Sequence, residues 1–166
     1  MFREMRRKKQ ALRPEDCARI LAQGTSGVLA LLGDDGYPYA VPLSYVYHEG
    51  RVYFHSAMAG HKMDALPRCP KASFCVVDQD QVVPETYTTY FRSVIAFGAV
   101  RILEDEAEKR AAAELLAMKY APAGSNENRA EVIRQEWPRF CMLELSVEHL
   151  TGKEAIELMR ERRETP

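Results

Sequence analysis

Tyr53-Phe54-His55-Ser56-Ala57-Met58-Ala59-Gly60-His61-Lys62 reads as a strand that ends in small and hydroxyl residues, turns through a glycine and opens a short helix at a lysine. A strand feeding such a turn is a natural anion seat. The first N–H groups of the helix have no intrahelical acceptor, and a nearby cation balances the charge. Ser56, Gly60, His61 and Lys62 are spaced to grip one phosphate together. The stretch has neither the glycine-lysine spacing of a nucleoside-triphosphate loop nor the GxGxxG of a dinucleotide turn. It points to a monophosphate ligand.

Working outward, residues 14–23 predict a first helix with Pro14 near its start and Gly24 after its end. Val28-Leu29-Ala30-Leu31-Leu32 is a short apolar run, read as a strand covered on both faces. Asp34-Asp35-Gly36 turns the chain into a second strand over 39–47, with Val41, Leu43, Tyr45 and Tyr47 on one face. His48-Glu49-Gly50 turns it again into a third strand over 52–56. Beyond the short helix at 63–66, residues 71–77 predict a fourth strand, and Pro84 argues against regular pairing over 78–85. The β-rich segment 86–103 is long enough to need a bulge, placed at Gly98. Helices follow over 104–120 and 126–136, then a sixth strand over 140–147 and a charged helix over 152–163. Hairpins first and helices late, without a βαβ rhythm, predict a compact antiparallel barrel with attached helices.

The 166 residues are expected to form a single domain, 1–166, with an N-terminal arm and helix and a C-terminal helical extension. A net charge of −1 argues against a nucleic-acid partner. The basic cluster Arg3, Arg6, Arg7, Lys8 and Lys9 is read as an arm packing on its own protein. Cys17, Cys69, Cys75 and Cys141 show no CxxC pair and no zinc spacing with histidine, so no metal is assigned. Reduced thiols, no apolar signal core and no membrane-length apolar run predict a soluble, cytoplasmic protein with no membrane partner.

Three further features carry chemistry. Pro42 lies within a strand, where it has no N–H to donate; it belongs at an edge, which either is merely an edge or offers the backbone of Leu43 and Ser44 to a flat ring. Arg92, beside Ser93 in an apolar strand, either reaches solvent or meets an anion. His55 and Ser56 alternate and should face opposite sides of their strand. No nucleophile elbow or Ser/His/Asp spacing is present, so no catalytic side chain is assigned.

Together, Gly27-Val28-Leu29-Ala30, Gly36-Tyr37-Pro38-Tyr39-Ala40-Val41-Pro42-Leu43-Ser44-Tyr45, the opening stretch through Lys62, Tyr90-Phe91-Arg92-Ser93-Val94-Ile95 and the segment 145–153 resemble a known family. It is the flavin-binding split-barrel family related to pyridoxamine 5′-phosphate oxidase, and within it the NimA-like, nitroimidazole-resistance branch. The resemblance implies a mainly β fold with attached helices, a six-stranded antiparallel split β-barrel. It also implies a homodimer with FMN at the subunit interface. By position, Pro42, Leu43, Ser44 and Tyr45 would line the isoalloxazine, and Ser56, Ala57, Gly60, His61 and Lys62 would hold the ribityl phosphate. Arg92 and Ser93 would stand on a neighbouring strand near the cofactor, and His55 belongs to the same cofactor-binding set.

The implied function is an FMN-dependent oxidoreductase that passes electrons from a reduced nicotinamide to a small acceptor such as a nitroaromatic. The alternatives are flavin storage or sensing, deazaflavin use, and haem bound through His55 or His61. The family's C-terminal substrate signature, a tryptophan followed by an arginine-rich run, is not recognisable, and Trp137-Pro138-Arg139-Phe140 does not replace it. Oxidation of pyridoxamine phosphate is therefore not expected.

Overall fold

The computed structural model describes residues 2–164. Its strands are β1 (Ser26–Leu32), β2 (Pro38–Ser44), β3 (Val46–His48), β4 (Arg51–Ala57), β5 (Lys71–Val83), β6 (Thr88–Ile102) and β7 (Phe140–Glu154). They form one antiparallel sheet in the order β2-β1-β5-β6-β7-β4-β3. β2 and β3 therefore stand at opposite edges of the sheet, yet only Tyr45 separates them in the chain. The sheet must curl until those edges meet. They meet through the covalent chain and not through a continuous ladder, so the barrel is split between β2 and β4. Tyr45 plugs the junction: it is fully buried, its ring is edge-on to Phe74 at 4.8 Å, and Phe74 meets Phe54 at 5.0 Å.

This break accounts for the strand count. The sequence reads residues 39–47 as one strand and predicts six in all; the seventh arises because the run leaves one sheet edge for the other at Tyr45.

Three boundaries also differ. The sequence ends its fourth strand at Val77, but β5 absorbs a register shift between Val77 and Gln79 and pairs with β6 as far as Val83. Pro84 lies in the turn Pro84–Thr86, where no ladder bond is asked of it. β7 does not stop near Val147, because β6 offers it partners out to Arg92, opposite Glu154. The last helix accordingly begins at Ile156 and not at residue 152. The bulge at Gly98 is where the sequence places it: the register shifts between Phe97 and Gly98, and a Cβ there would stand 1.9 Å from the Ser146 carbonyl oxygen. Only glycine permits that approach.

The helices are α1 (Pro14–Gln23), α2 (His61–Ala65), α3 (Glu106–Tyr120), α4 (Asn126–Glu136) and α5 (Ile156–Glu164). Asp105 caps α3 by accepting from the N–H groups of Ala107 and Glu108, and Ser125 caps α4 through Asn128. Two apolar clusters use the two faces of β4. Val52 and Phe54 point into the barrel with Leu29, Phe74, Leu143 and Leu145, joined by Ile20 and Leu21 of α1. Tyr53 points outward and is covered by α3 and α4, with Val46, Leu103, Ala112, Ala113, Ile133 and Met142. Full burial of each large apolar side chain stabilises the fold by roughly 1.5–3 kcal/mol.

The N-terminal segment runs along the end of β7. Ala11 bridges Lys153, the Leu12 N–H donates to the Gly152 carbonyl at 3.0 Å, and the Phe2 ring stacks on His149 at 4.6 Å. The four cysteines are free thiols. Among the described residues, no helix is long and apolar enough to cross a membrane, and no group of three metal-ligating side chains converges.

Candidate cofactor site

The split brings two strand ends together. β2 pairs only with β1, which leaves its other edge, carrying Pro42, Leu43 and Ser44, free of any strand. β3 pairs with β4 only as far as Tyr53, so on that side β4 runs on unpaired through His55, Ser56 and Ala57. β2 and β4 approach each other across this gap without a ladder. α2 follows β4 after three exposed residues, Met58, Ala59 and Gly60, and Gly60 holds φ +118°. That conformation favours glycine and lets the chain turn directly from strand to helix. The Met63 and Asp64 N–H groups donate to the Gly60 carbonyl at 2.8 and 3.1 Å, so those of His61 and Lys62 have no intrahelical acceptor.

Lys62 is the notable charge. Its side chain is half-buried and, among the described residues, has no carboxylate or hydrogen-bond partner. It lies close enough to Cys141 to act on its thiol: burial pushes the Cys141 pKa up, while the Ser56 hydrogen bond and the positive charges of Lys109 and Lys62 draw it back. A half-buried ammonium without a counter-charge is costly unless an anion joins it.

The other phosphate candidates are engaged within the chain. Ser56 faces the barrel interior at 3% exposure, and its hydroxyl donates to the Ala57 carbonyl at 2.9 Å and lies 3.7 Å from the Met63 sulfur. It ties β4 to α2, so within the chain the hydroxyl is engaged on the interior side and not free for the phosphate that the sequence reading gives it. His61 leans on Tyr39 with ring centroids 4.1 Å apart, and its Nε2 is 3.6 Å from Asp34, which Arg68 also contacts at 2.6 Å. That contact fastens α2 to the β1–β2 turn. His55, as its alternation with Ser56 predicts, faces outward and is exposed.

Arg92 and Ser93 are not brought to this seat within one chain. Arg92 pairs with Glu154 at the far end of β7, whereas Ser56 pairs with Cys141 near its start. The Arg92 guanidinium lies 3.1 Å from Asp78 and 3.4 Å from the fully buried Glu154, which Arg162 also meets at 2.7 Å. Ser93 sits between Val77 and Lys153 in the sheet. The sequence reading gives Arg92 an anion, and the anions it meets are these carboxylates.

Sequence reasoning missed what surrounds the split. The Tyr120 hydroxyl, at the end of α3, accepts the Tyr45 N–H at 3.0 Å and donates to the Thr25 carbonyl. Lys119 donates to the Gly24 carbonyl and stands 4.2 Å over the Tyr45 ring, and burial holds its pKa below the usual lysine range. Next to this latch, a cleft of about 420 Å³ opens between the α3–α4 cap and β4, with Ser44 and His55 on its wall. A Lys-Tyr pair at a helix end is a common surface pattern, and nothing in its spacing announces these contacts.

A sequence model of the family described as pyridoxamine 5′-phosphate oxidase matches residues 13–154. The chain belongs to this family. Its fold recurs in solved family-like structures. A protein of Bacteroides thetaiotaomicron VPI-5482, described as a candidate 5-nitroimidazole antibiotic resistance protein, superposes with a TM-score of 0.72 at 22% identity, covering 87% of this chain and 86% of that one. The conserved hypothetical protein Rv2991 of Mycobacterium tuberculosis gives a TM-score of 0.78 at 18% identity over 91% and 90%. The FAD and haem binding protein of Mycobacterium smegmatis gives 0.72 at 19% identity over 88% and 73%. No curated relative matches the chain.

Proposed function

We propose that the protein is a flavoprotein that binds FMN along the split between β2 and β4, and that it works as an oxidoreductase. The observation that carries this reading is Lys62, a half-buried ammonium with no partner among the described residues, next to a strand-to-helix turn whose first N–H groups lack intrahelical acceptors. A phosphate monoester satisfies both needs at once. Pro42, Leu43 and Ser44 on the free edge of β2, with His55 and Ala57 across the gap, would take the ring system. Tyr45 supports that edge from the core, because its ring is buried.

A bound flavin would supply the electron transfer itself: acceptance from a reduced nicotinamide and delivery to a small acceptor such as a nitroaromatic. The residues of this chain bind and orient. Lys62 holds the phosphate, the β2 edge fixes the ring against the split, and Tyr120 and Lys119 keep that edge rigid. Within one chain the gap is open on one side and Arg92 is remote, which supports a homodimer in which a second subunit closes the site.

Oxidation of pyridoxamine phosphate fits poorly, since that substrate brings a second phosphate. Trp137 is packed edge-on to Phe140 at 5.8 Å beneath Lys109, and Arg162 is held by Asp16 and Glu154. A haem reading has one observation in its favour: His55 is exposed at the cleft and has no partner among the described residues.

The absorption spectrum of freshly purified protein tests these readings. The two-band yellow absorption of a flavin is expected, one FMN per chain, in a species that sediments as a dimer. A dominant Soret band would establish haem instead, and a tight monomer with full FMN affinity would overturn the shared site. Supplying the FMN-loaded protein with a reduced nicotinamide and a nitroaromatic, and separately with pyridoxamine phosphate, tests the chemistry. Turnover of the former is expected; efficient turnover of the latter would reverse the ranking, and no turnover with any acceptor would mark a storage protein.

A further inference from the structure

The sequence reads the basic cluster Arg3 to Lys9 as an arm packing on its own protein, and the structure divides the arm's residues between two tasks. One set holds it down along the end of β7. The Phe2 ring stacks on His149, Ala11 bridges Lys153, and the Leu12 N–H donates to the Gly152 carbonyl. Gly152 makes room for this approach, because a Cβ there would stand 2.5 Å from the Cys17 sulfur and 2.9 Å from a Leu12 methyl carbon. Gln10, just before Ala11, is buried.

The cations form the other set. Arg3, Arg6, Arg7, Lys8 and Lys9 are all exposed. Lys8 pairs with Glu4, and the side chains of Arg3, Arg6, Arg7 and Lys9 have no carboxylate or hydrogen-bond partner among the described residues. Residues 3–13 hold six cations and one carboxylate, net +5, which leaves −6 for the remainder of a chain whose net charge is −1. This segregation sets a positive field at one place on a negative body. Beside the cations, Phe2 keeps 44% of its surface exposed although one ring face lies on His149. The phosphate seat is elsewhere: Ser56 pairs with Cys141, near the opposite end of β7 from Gly152 and Lys153.

We infer that this arm docks the protein on an anionic lipid surface. The unpaired cations supply electrostatic attraction, and Phe2 supplies an aromatic side chain for the headgroup boundary, the two signals that peripheral attachment combines. An arm already pinned to β7 loses less conformational freedom on docking than a loose one. The expectation of no membrane partner rests on the lack of a membrane-length apolar run, and surface attachment needs none. A nucleic acid is the less suitable partner. The arm's helical turn, Lys8–Gln10, is too short to read a groove, and one exposed ring gives no platform for successive bases. A strand running on past the arm would also meet a remainder that is net negative.

Co-sedimentation of the full chain with phosphatidylcholine vesicles, with and without phosphatidylglycerol, is the test. Binding is expected to the anionic vesicles alone, and it should be lost in about 1 M salt, where the screening length falls to about 3 Å. Arg7→Ala should lower the vesicle partition coefficient about fivefold. Reversing all four unpaired charges, Arg3→Glu, Arg6→Glu, Arg7→Glu and Lys9→Glu together, should abolish binding while the melting temperature holds, since these side chains are exposed. Arg139→Glu reverses an exposed charge just before the other end of β7 and should leave binding nearly unchanged, whereas Arg7→Glu should not. No binding to anionic vesicles, equal binding to neutral ones, equal losses in Arg7→Glu and Arg139→Glu, or retention of binding by the fourfold variant would each overturn the assignment. Binding to a short DNA duplex at physiological salt, with none to the vesicles, would give the arm to a nucleic acid instead.

Discussion

The hydroxyl of Tyr120 accepts the backbone N–H of Tyr45 at 3.0 Å, so the last turn of α3 satisfies the main-chain donor of the one residue at which the chain leaves β2 for β3. The helical cap is thereby part of how the barrel closes. Tyr120→Phe leaves the Tyr45 N–H without this acceptor, at a cost of about 1–3 kcal/mol. Urea denaturation should show a lower midpoint with an unchanged slope; an unaltered midpoint would mean that the latch contributes nothing.

Lys62→Ala removes the unpartnered ammonium beside the α2 turn. A hydrogen bond to a charged group contributes about 1.5–3 kcal/mol, so FMN affinity should fall roughly tenfold to a hundredfold while the melting temperature of the ligand-free protein does not fall. Riboflavin, which has no phosphate, should bind wild type and variant alike. Equal FMN affinities in a calorimetric titration would remove Lys62 from the site.

Gly98→Ala forces a methyl group into the Ser146 carbonyl, which the present backbone would meet at 1.9 Å. One of the two strands must move, at a cost of about 1–3 kcal/mol or more. Thermal unfolding should register the loss, whereas Gly36→Ala, with no atom within 4 Å of its Cβ, should cost only the strain of its positive φ of +78°.

Glu144 gives a pH dependence. Burial would raise its pKa, but hydrogen bonds from Arg101 and Ser146, with the charges of Arg101 and Arg51, hold it below the usual carboxylate value. A folded value beneath the unfolded one means stability that is fully present above the unfolded pKa of roughly 4.3 and is lost as pH falls through the folded value. Glu144→Gln should flatten the stability profile on the acid side of about pH 5 relative to wild type. An unchanged acid limb in urea midpoints taken across that range would place the acid sensitivity elsewhere.

Much of the barrel is legible in the chain because it is local. The turns at Asp34–Gly36 and His48–Gly50, the alternation of His55 with Ser56, the glycine at the α2 turn and the bulge at Gly98 each follow from backbone sterics or a period of two, which neighbouring residues fix among themselves. The failures are equally local in origin. In the sequence Pro84 reads as an obstacle because proline cannot pair, yet a turn asks for no pairing. Residues 39–47 read as one strand because nothing in their pattern records which sheet edge each half joins.

The sequence by itself therefore determined where strands occur, though not the break at Tyr45 or the full reach of β5 and β7, together with the turn and its lysine and the family to which the chain belongs. Tertiary structure alone decided which polar groups remain available. Ser56, His61 and Arg92 carry suitable chemistry in the sequence, but folding gives them the Ala57 carbonyl, Asp34 and Glu154 as neighbours, while Lys62 is left without one among the described residues. Those partners lie up to 62 residues away along the chain. A charge is free or satisfied only by virtue of what the fold sets beside it, and that is a property of the closed sheet and its cap, not of any local stretch.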